Sequence, residues 1–321
     1  MALQNWEVIS GTVYGNPKLS SKARLLSPKM TKLMDLVDPS EDFYLGKKSG
    51  DSISVRIVGD ITTDATTPIG EFTPVPFSKP PVYHVTGYVY RYAMAIAWTG
   101  EYEDLDRLNV EDTNIQTMTK HAARTVNTLI YNELVTGRSF TYVCDETTSG
   151  SFLATGSVSA TADQAFTLFH VQNIAKNLLK YNVPYADGES YIAAISPTLK
   201  FDLLKDAATN GFIDVKKYAS GGAEGILRNE IGKVGEMRFV CDNADLPDNI
   251  GASSLRGSGF VVGWEGVKEL MVYPLHFRFN GNLGGDFANQ KGMAWQALQG
   301  YKTVFNYTAH GQGGVCHITS A

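Results

Sequence analysis

The sequence has few cysteines, no long apolar run and no excess of positive charge. Its three cysteines, Cys144, Cys241 and Cys316, are far apart and lack Cys-x-x-Cys spacing, which argues against a disulfide framework or a zinc knuckle. The longest apolar run, residues 92–98, is far shorter than the roughly 20 residues that a membrane-spanning helix needs. The N-terminus lacks the basic and apolar regions of a signal peptide. We therefore expect a soluble, cytosolic chain with free thiols and no membrane contact.

The charge balance limits how the chain can contact nucleic acid. The 321 residues carry a formal net charge of −5, whereas proteins that bind nucleic acid over their whole surface are usually basic. Any such contact must come from a local patch, and residues 16–32 offer one. We interpret this segment as an arm that docks on a neighbouring chain or on a polyanion. Its basic residues, with no acid among them, are Lys18, Lys22, Arg24, Lys29 and Lys32.

Common catalytic and ligand-binding motifs are also absent. There is no GxxxxGK[ST] phosphate loop, no GxSxG elbow and no HExxH zinc motif. Asp242, Asp245 and Asp248 lack the alternating ligands and closing Glu of a calcium loop, so we interpret them as an acidic turn. We predict no catalytic residue, no cofactor and no metal site. The six histidines are predicted to be structural or on the surface: His84, His121, His170, His276, His310 and His317.

Residues 51–98 predict two strands joined by a proline-rich segment. In "SISVRIV", Ile53, Val55 and Ile57 alternate with other residues, as in a strand with one buried face. Its predicted partner is the long strand "GYVYRYAMAIAW" (87–98), with large residues on one face and mostly small ones on the other. Five of the twelve prolines fall in residues 68–81, which disfavours helix and regular sheet. A loop this long is usually functional, so we predict a projecting hairpin that contacts a neighbour.

The rest of the chain predicts an α+β fold. A helix is expected over about 108–137, with an acidic start, a C-cap glycine at Gly137, and an apolar stripe at steps of three and four. Shorter elements follow: a helix in "TADQAFTLFHVQNIAKNLLKYN", a strand "SYIAAIS", a helix "SPTLKFDLLKDA" capped by Ser196, and a hairpin at 229–243. The C-terminal strands are "GFVVGW", "LMVYPLHFRF" and "AWQALQGYKTVFNYT". The stripe comprises Ile115, Met118, Ala122, Val126, Leu129, Ile130 and Leu134.

Three segments, in this order, resemble a known family. They are "TTPIGEFTPV" with "VTGYVYRYAMAIAWTGEYEDL" and "AARTVNTLIYNELVTG", then "EIGKVGEMRFVCDNADLP", then "NQKGMAWQALQGYKTVF". The chain is similar to major capsid proteins of tailed bacteriophages with the Hong Kong 97-type fold, in a branch common among short-tailed phages. The likeness covers most of residues 45–310. The first 45 residues and the tail "GQGGVCHITSA" match nothing specific.

The resemblance implies an architecture and the residues that serve it. Residues 1–45 would be an N-terminal arm, 46–102 an extended loop, 103–155 and 259–321 a peripheral domain with the long helix as its spine, and 156–258 an axial domain. We expect residues 46–102 to be ordered by lying across another copy. Expected contact residues between subunits are Glu71, Phe72, Pro74, Phe77 and Lys79, and expected hinges are Gly46, Gly50 and Gly100.

The resemblance also implies a function without a cofactor. The chain would assemble with many copies of itself into pentamers and hexamers of an icosahedral head around double-stranded DNA. DNA contact would be non-specific, through the basic arm or Lys120 and Arg124 on the spine helix. Portal, scaffolding and decoration proteins are further expected partners, and assembly would take place in the host cytoplasm. Two alternatives stay open: an encapsulin-like nanocompartment shell, and a soluble α+β enzyme with an unrecognised site.

Overall fold

The protein folds into an α+β structure with more strand than helix, here described from a computed structural model. The structure describes residues 33–38, 50–61, 68–72, 74–75, 77–106, 109–146, 149–153, 165–210, 230–241, 257–281, 289–307 and 312–320. A 3₁₀ turn covers Leu33–Leu36. The helices are α1 Gly100–Leu105, α2 Val110–Gly137, α3 Leu168–Lys180 and α4 Pro197–Asn210. The strands are β1 Val37–Asp38, β2 Ser52–Val58, β3 Val82–Tyr88, β4 Tyr90–Thr99, β5 Phe140–Glu146, β6 Ser149–Leu153, β7 Tyr191–Ile195, β8 Glu230–Val234, β9 Met237–Cys241, β10 Gly257–Val262, β11 Val267–Asn280, β12 Gln290–Thr303 and β13 Val315–Ser320.

A seven-stranded sheet with the order β6-β5-β13-β10-β7-β9-β8 carries the largest core cluster. Its inner strands are buried on both faces. In β7, Tyr191 and Ile195 pack with α3 and α4, whereas Ala194 packs with the C-terminal half of α2. Strands covered on both sides need apolar residues at every position, so "YIAAI" and "GFVV" show no polar alternation.

A four-stranded sheet with the order β1-β11-β12-β4 carries the N-terminal half of α2. Met118 of α2 packs with Trp98 and Trp295, and all three side chains are buried. Further along the same helix, Ile130 and Leu134 belong to the cluster that covers the seven-stranded sheet. The 28 residues of α2 are about 42 Å long at the usual helical rise, so one helix joins both sheets.

The buried side of α2 differs from the predicted stripe at one point. Ile115 was expected in the stripe but is 41% exposed, so that assignment is wrong. The buried line instead includes two polar residues, Asn114 and Asn127. The N-cap is Asn109, whose side chain accepts from the Asp112 N–H, and the predicted acidic first turn is confirmed.

Gly137 does not act as the predicted C-cap glycine. It is the last residue of α2, and the cap is Arg138, whose φ of −58° lies outside the left-handed region. The Arg138 guanidinium donates to the Val135 carbonyl at 2.8 Å, which satisfies one carbonyl of the last turn. A Cβ at position 137 would lie 2.1 Å from Thr303 Oγ1. Glycine is therefore required there by the close approach of β12.

The long strand predicted over residues 87–98 is divided by a change of partner. β3 pairs antiparallel with β2, from Val82 opposite Val58 to Tyr88 opposite Ser52. β4 pairs with β12 instead, in a different sheet. Between them the Val89 N–H donates to the Asp51 carbonyl at 2.9 Å. The prediction that residues 87–98 pair as one unit with β2 is wrong, because alternation reports burial and not the identity of the neighbouring strand.

Two C-terminal elements complete the seven-stranded sheet. The predicted hairpin at 229–243 is confirmed as β8 and β9, with Gly235 at φ +57° in its turn and Met237 and Phe239 fully buried. The tail, for which no element was predicted, contributes β13 between β5 and β10. The seven-stranded sheet thus takes β5, β6, β13 and most of β10 from ranges that were expected in the peripheral domain.

Candidate assembly surface

The two strands of the projecting hairpin, β2 and β3, form what we term the hairpin stem. They pair over seven residues each and make a sheet of their own. The alternation predicted in β2 is confirmed, since Ile53, Val55 and Ile57 are half-buried and the residues between them point outward. These three side chains pack against a cluster of the same chain that includes Leu270 and Val304.

Glycines let the stem lie close to the four-stranded sheet. A Cβ at Gly87 would be 2.6 Å from a methyl group of Leu270, and a Cβ at Gly300 would be 2.2 Å from the Tyr88 carbonyl oxygen. Backbone crosses backbone here at a distance that only glycine permits. The stem is therefore seated on its own chain, which corrects the expectation that all of residues 46–102 depend on another copy.

The described residues between the two stem strands, 59–61, 68–72, 74–75 and 77–81, form what we term the hairpin tip. The Gly59 N–H donates to the Pro81 carbonyl at 2.8 Å and closes its base. Beyond this point the side chains leave the body of the protein: Phe72 is 96% exposed and Phe77 is 99% exposed. All five predicted contact residues are exposed on the hairpin tip: Glu71, Phe72, Pro74, Phe77 and Lys79.

Exposure on this scale distinguishes the hairpin tip from an ordinary surface. Val75, Ile69 and Ile61 add to the two phenylalanines, with exposures of 66%, 47% and 43%. A monomeric protein rarely exposes large apolar side chains close together, and such patches usually mark interaction sites. The hairpin tip is thus an apolar surface that its own chain leaves uncovered.

The predicted hinge glycines have different surroundings. Gly46 lies outside the described residues. Gly50 is exposed, has φ +96° and would have open space around a Cβ, so its backbone uses the freedom that glycine provides. Gly100 begins α1, and its N–H donates to the Asn289 carbonyl at 2.8 Å. Of the two described positions, Gly50 is the one with positive φ, and its role as a hinge stays a prediction.

The described part of the N-terminal region packs against α2. The five basic residues of the predicted arm lie outside the described residues, but Leu33 and Leu36 are buried in the cluster around α2. The Leu33 N–H donates to Asn127 Oδ1 at 3.0 Å, which explains the buried asparagine on α2. β1 then pairs in parallel with the start of β11.

A buried lysine lies at this junction. Lys268 is 2% exposed, and its ammonium pairs with the carboxylates of Asp38 and Glu265. A charge this deeply buried needs paired and hydrogen-bonded partners. Sequence reasoning missed Lys268 and Asn127, because Lys268 has one partner, Asp38, that is distant in the sequence besides nearby Glu265, and the partner of Asn127, Leu33, is also distant.

Three of the described histidines, His121, His170 and His317, have structural contacts, whereas His84 is exposed. His170 Nδ1 lies 2.8 Å from the Tyr142 hydroxyl, and Trp295 Nε1–H donates to His121 Nδ1 at 3.2 Å. His317 is fully buried and stacks on Phe260 with ring centroids 4.7 Å apart. Burial, with a smaller contribution from a nearby arginine, lowers the pKa of His317 to about 3. His310 and the acidic turn at 242–248 lie outside the described residues.

The described part of the chain shows no arrangement typical of a metal centre. Within those ranges, no group of three or more His, Cys, Asp or Glu side chains could hold a metal ion. None of the helices described is both long and apolar enough to cross a bilayer. Cys144 and Cys316 are buried, and burial raises the pKa of the Cys316 thiol.

The protein is similar to chains in solved structures of phage capsids. The protein is similar to a chain of the capsid of Ralstonia phage GP4, with a TM-score of 0.69 and 14% identity over 97% of this chain and 96% of that one. For the capsid asymmetric unit of cyanophage Pam1 the TM-score is 0.68, with 13% identity over 95% and 96% of the two chains. Mycobacterium phage Che8 gives 0.64, with 14% identity over 94% and 96%. These likenesses show the fold, which is the Hong Kong 97-type capsid fold.

A sequence profile identifies the family. Residues 85–310 match the family described as "Phage capsid protein". No curated protein matches the sequence significantly. The chain belongs to this phage capsid family and is a structural major capsid protein, located in the capsid of the virion. This membership favours the phage capsid over the nanocompartment and enzyme alternatives.

Proposed function

We propose that copies of this chain assemble into a closed head by laying each hairpin tip across an adjacent copy. The observation that carries the proposal is the exposure of Phe72 and Phe77 on a projecting, proline-stiffened segment whose stem is fixed to the body. Burying the two rings against a neighbour would remove much of the exposed apolar surface from water. The contact residues would be Glu71, Phe72, Pro74, Phe77 and Lys79.

The same contact accounts for rings of five and six subunits. The hairpin tip and the surface that receives it are different parts of one chain, so the contact is heterologous and repeats around an axis until it closes. Gly50 would supply the small change in angle between pentamers and hexamers, with Gly46 and Gly100 as further hinge candidates. Because each subunit engages several neighbours, weak single contacts add up to a stable shell.

The two sheets would serve as the two domains of the subunit. The domain division expected from the family resemblance has an arm at 1–45, a loop at 46–102, a peripheral domain at 103–155 and 259–321, and an axial domain at 156–258. Since β5, β6, β13 and most of β10 join the seven-stranded sheet, we assign that whole sheet with α3 and α4 to the axial domain. The four-stranded sheet and the N-terminal half of α2 then form the peripheral domain.

The head would enclose double-stranded DNA and be built in the host cytoplasm without a catalytic step or a cofactor. DNA contact would be electrostatic and independent of sequence. Its candidate residues are the basic residues of the arm and Arg124, which is exposed on α2, with Lys120 one turn earlier. Portal, scaffolding and decoration proteins are the other partners that such a head would have.

Electron microscopy of the purified chain tests the proposal. We expect closed shells or capsomer rings from the wild-type protein. The double variant Phe72→Ser and Phe77→Ser should stay folded by circular dichroism but fail to form them. Phe201→Ser is the matched control, since Phe201 is 66% exposed on α4 away from the hairpin tip. Normal shells from the double variant would contradict the proposal.

A further inference from the structure

A cleft beside the turn between β10 and β11 has no role in the contacts described so far. Its volume is about 270 Å³, just below the roughly 300–1,000 Å³ of sites for drug-sized ligands. Trp264 forms one wall and is 48% exposed. The other lining residues on which the argument depends are Leu36, Ile192, Val262, Asp38 and Glu265.

The cleft is preformed and acidic at its edge. The backbone N–H of Trp264 donates to the Pro184 carbonyl at 3.1 Å. The Trp264 ring stacks near the Phe305 ring, with centroids 6.4 Å apart. The Asp38 and Glu265 carboxylates share a single ammonium, that of buried Lys268. The edge of the cleft thus has one negative charge more than positive, and the Asp38 side chain is 44% exposed.

We propose that this cleft receives Phe77 of a second copy of the chain, with Lys79 of that copy beside Asp38. The inference rests on the proposed function and names the receiving surface of the same contact. One aromatic side chain suits a small cleft with an exposed indole wall, and aromatic pairs favour such contacts. Lys79, two residues after Phe77, brings the opposite charge to the acidic edge.

The other features of the hairpin tip fit the cleft less well. Phe72 follows Glu71, whose charge would be repelled by the same edge. Phe77 is 99% exposed, so it does not occupy the cleft of its own chain. Because tip and cleft are different patches of one chain, their contact is head-to-tail, as a closed ring requires.

Cysteine pairing in assembled particles tests the contact directly. Ser78→Cys lies between Phe77 and Lys79, and Ala186→Cys lies on the cleft wall. After mild oxidation of shells we expect the double variant to give a ladder of covalent multimers on a non-reducing gel. Each single variant should give none. The pair Glu71→Cys with Ala186→Cys is the matched control on the other side of the hairpin tip and should give a much weaker ladder.

Coupling between substitutions gives a second readout. Phe77→Ser and Trp264→Ala should each raise the subunit concentration needed for assembly about fivefold. The double variant Phe77→Ser with Trp264→Ala should raise this concentration little more than either substitution alone. The effects of Phe72→Ser and Trp264→Ala on the free energy of assembly should instead be additive. Shells that form without the ladder and with additive effects for Phe77 would overturn this inference and leave the proposed function intact. A chain that never assembles would overturn both.

Discussion

The hairpin stem and the hairpin tip are built from similar apolar residues but differ in where those residues find a partner. In the stem, Ile53, Val55 and Ile57 pack on Leu270 and its neighbours in the same chain. In the tip, Phe72 and Phe77 contact almost nothing. Burial of apolar surface contributes roughly 25 cal/mol per Å². In the stem this free energy stabilises the folded subunit, whereas in the tip it becomes available only when another subunit covers the surface.

This difference separates two properties that a shell subunit needs. A seated stem fixes the direction in which the tip projects before any neighbour is present, so less conformational freedom is lost when the contact forms. An unburied tip keeps the isolated subunit competent to associate. Substitutions in the stem should therefore change the free energy of unfolding, and substitutions in the tip should change assembly.

The largest expected effect comes from acid, which protonates a buried histidine of the interior. The pKa of His317 falls from 6.5 to about 3 on folding, through burial and then the charge of Arg138. Between these values the unfolded chain binds a proton that the folded chain does not. The stabilisation is complete above pH ~6.5 and is lost as the pH falls toward about 3, at up to ~1.4 kcal/mol per pH unit.

Urea unfolding of the unassembled subunit at pH 7 and at pH 4.5, followed by circular dichroism, measures this loss. His317→Leu keeps the site buried and removes the titration, so its unfolding midpoint should depend less on pH than that of the wild type. An unchanged pH dependence in His317→Leu would show that other groups govern acid stability.

The next effect concerns the seat of the stem. Gly300→Ala places a Cβ 2.2 Å from the Tyr88 carbonyl oxygen, and the backbone must move to relieve it. We expect a loss of about 3 kcal/mol in the free energy of unfolding. Gly281→Ala is the matched control, because the nearest atom to its Cβ would be at an ordinary 3.7 Å. Equal midpoints for the two variants would mean that the stem is not fixed at this crossing.

A smaller effect is expected at the base of the stem. Gly50 has φ +96° with open space around it, so Gly50→Ala introduces backbone strain without a clash. We expect a loss of about 1 kcal/mol in stability. If Gly50 is also the hinge, cryo-electron microscopy of the variant should show fewer closed shells relative to open sheets or tubes. Shells of wild-type form and yield would remove Gly50 from the hinge candidates.

Local patterns predicted most of the elements but not how they are combined. The alternation in "SISVRIV" identified β2, and the spacing around Met118 and Ile130 identified α2, because each pattern records which side of one element is buried. The split at Val89 was missed, since both halves of that segment are strand and only the partner changes. β13 was missed because both of its faces are covered, so its short sequence shows no distinctive period.

The exposed hairpin tip was easier to predict than the polar interior. Proline density and apolar residues between two strands were enough to place Phe72 and Phe77 on a projecting segment, because those cues are local. Lys268 pairs with Asp38, 230 residues away, as well as with nearby Glu265, and Asn127 accepts from a residue 94 positions away. Such pairs have no signal in a single sequence, and only the folded arrangement brings them together.

The smallest expected change in the free energy of unfolding comes from a matched pair of substitutions, one in the stem and one in the tip. Val55 is half-buried in the stem against the Leu270 cluster, whereas Val75 in the tip is 66% exposed. Val55→Ser should lower the free energy of unfolding of the isolated subunit by about 1 kcal/mol, since it removes apolar contact and leaves a hydroxyl near the core. Val75→Ser should change it by less than about 0.5 kcal/mol.

For assembly we expect the reverse order: Val75→Ser should have the larger effect when both variants are fully folded. Under conditions where both are fully folded, Val75→Ser should need a higher subunit concentration to form shells, and Val55→Ser should not. Light scattering during assembly, with stability measured on the same samples by urea unfolding, gives both quantities. If Val75→Ser instead lowered stability as much as Val55→Ser, the tip would be packed on its own chain, and the division between a folding region and an association region would fail.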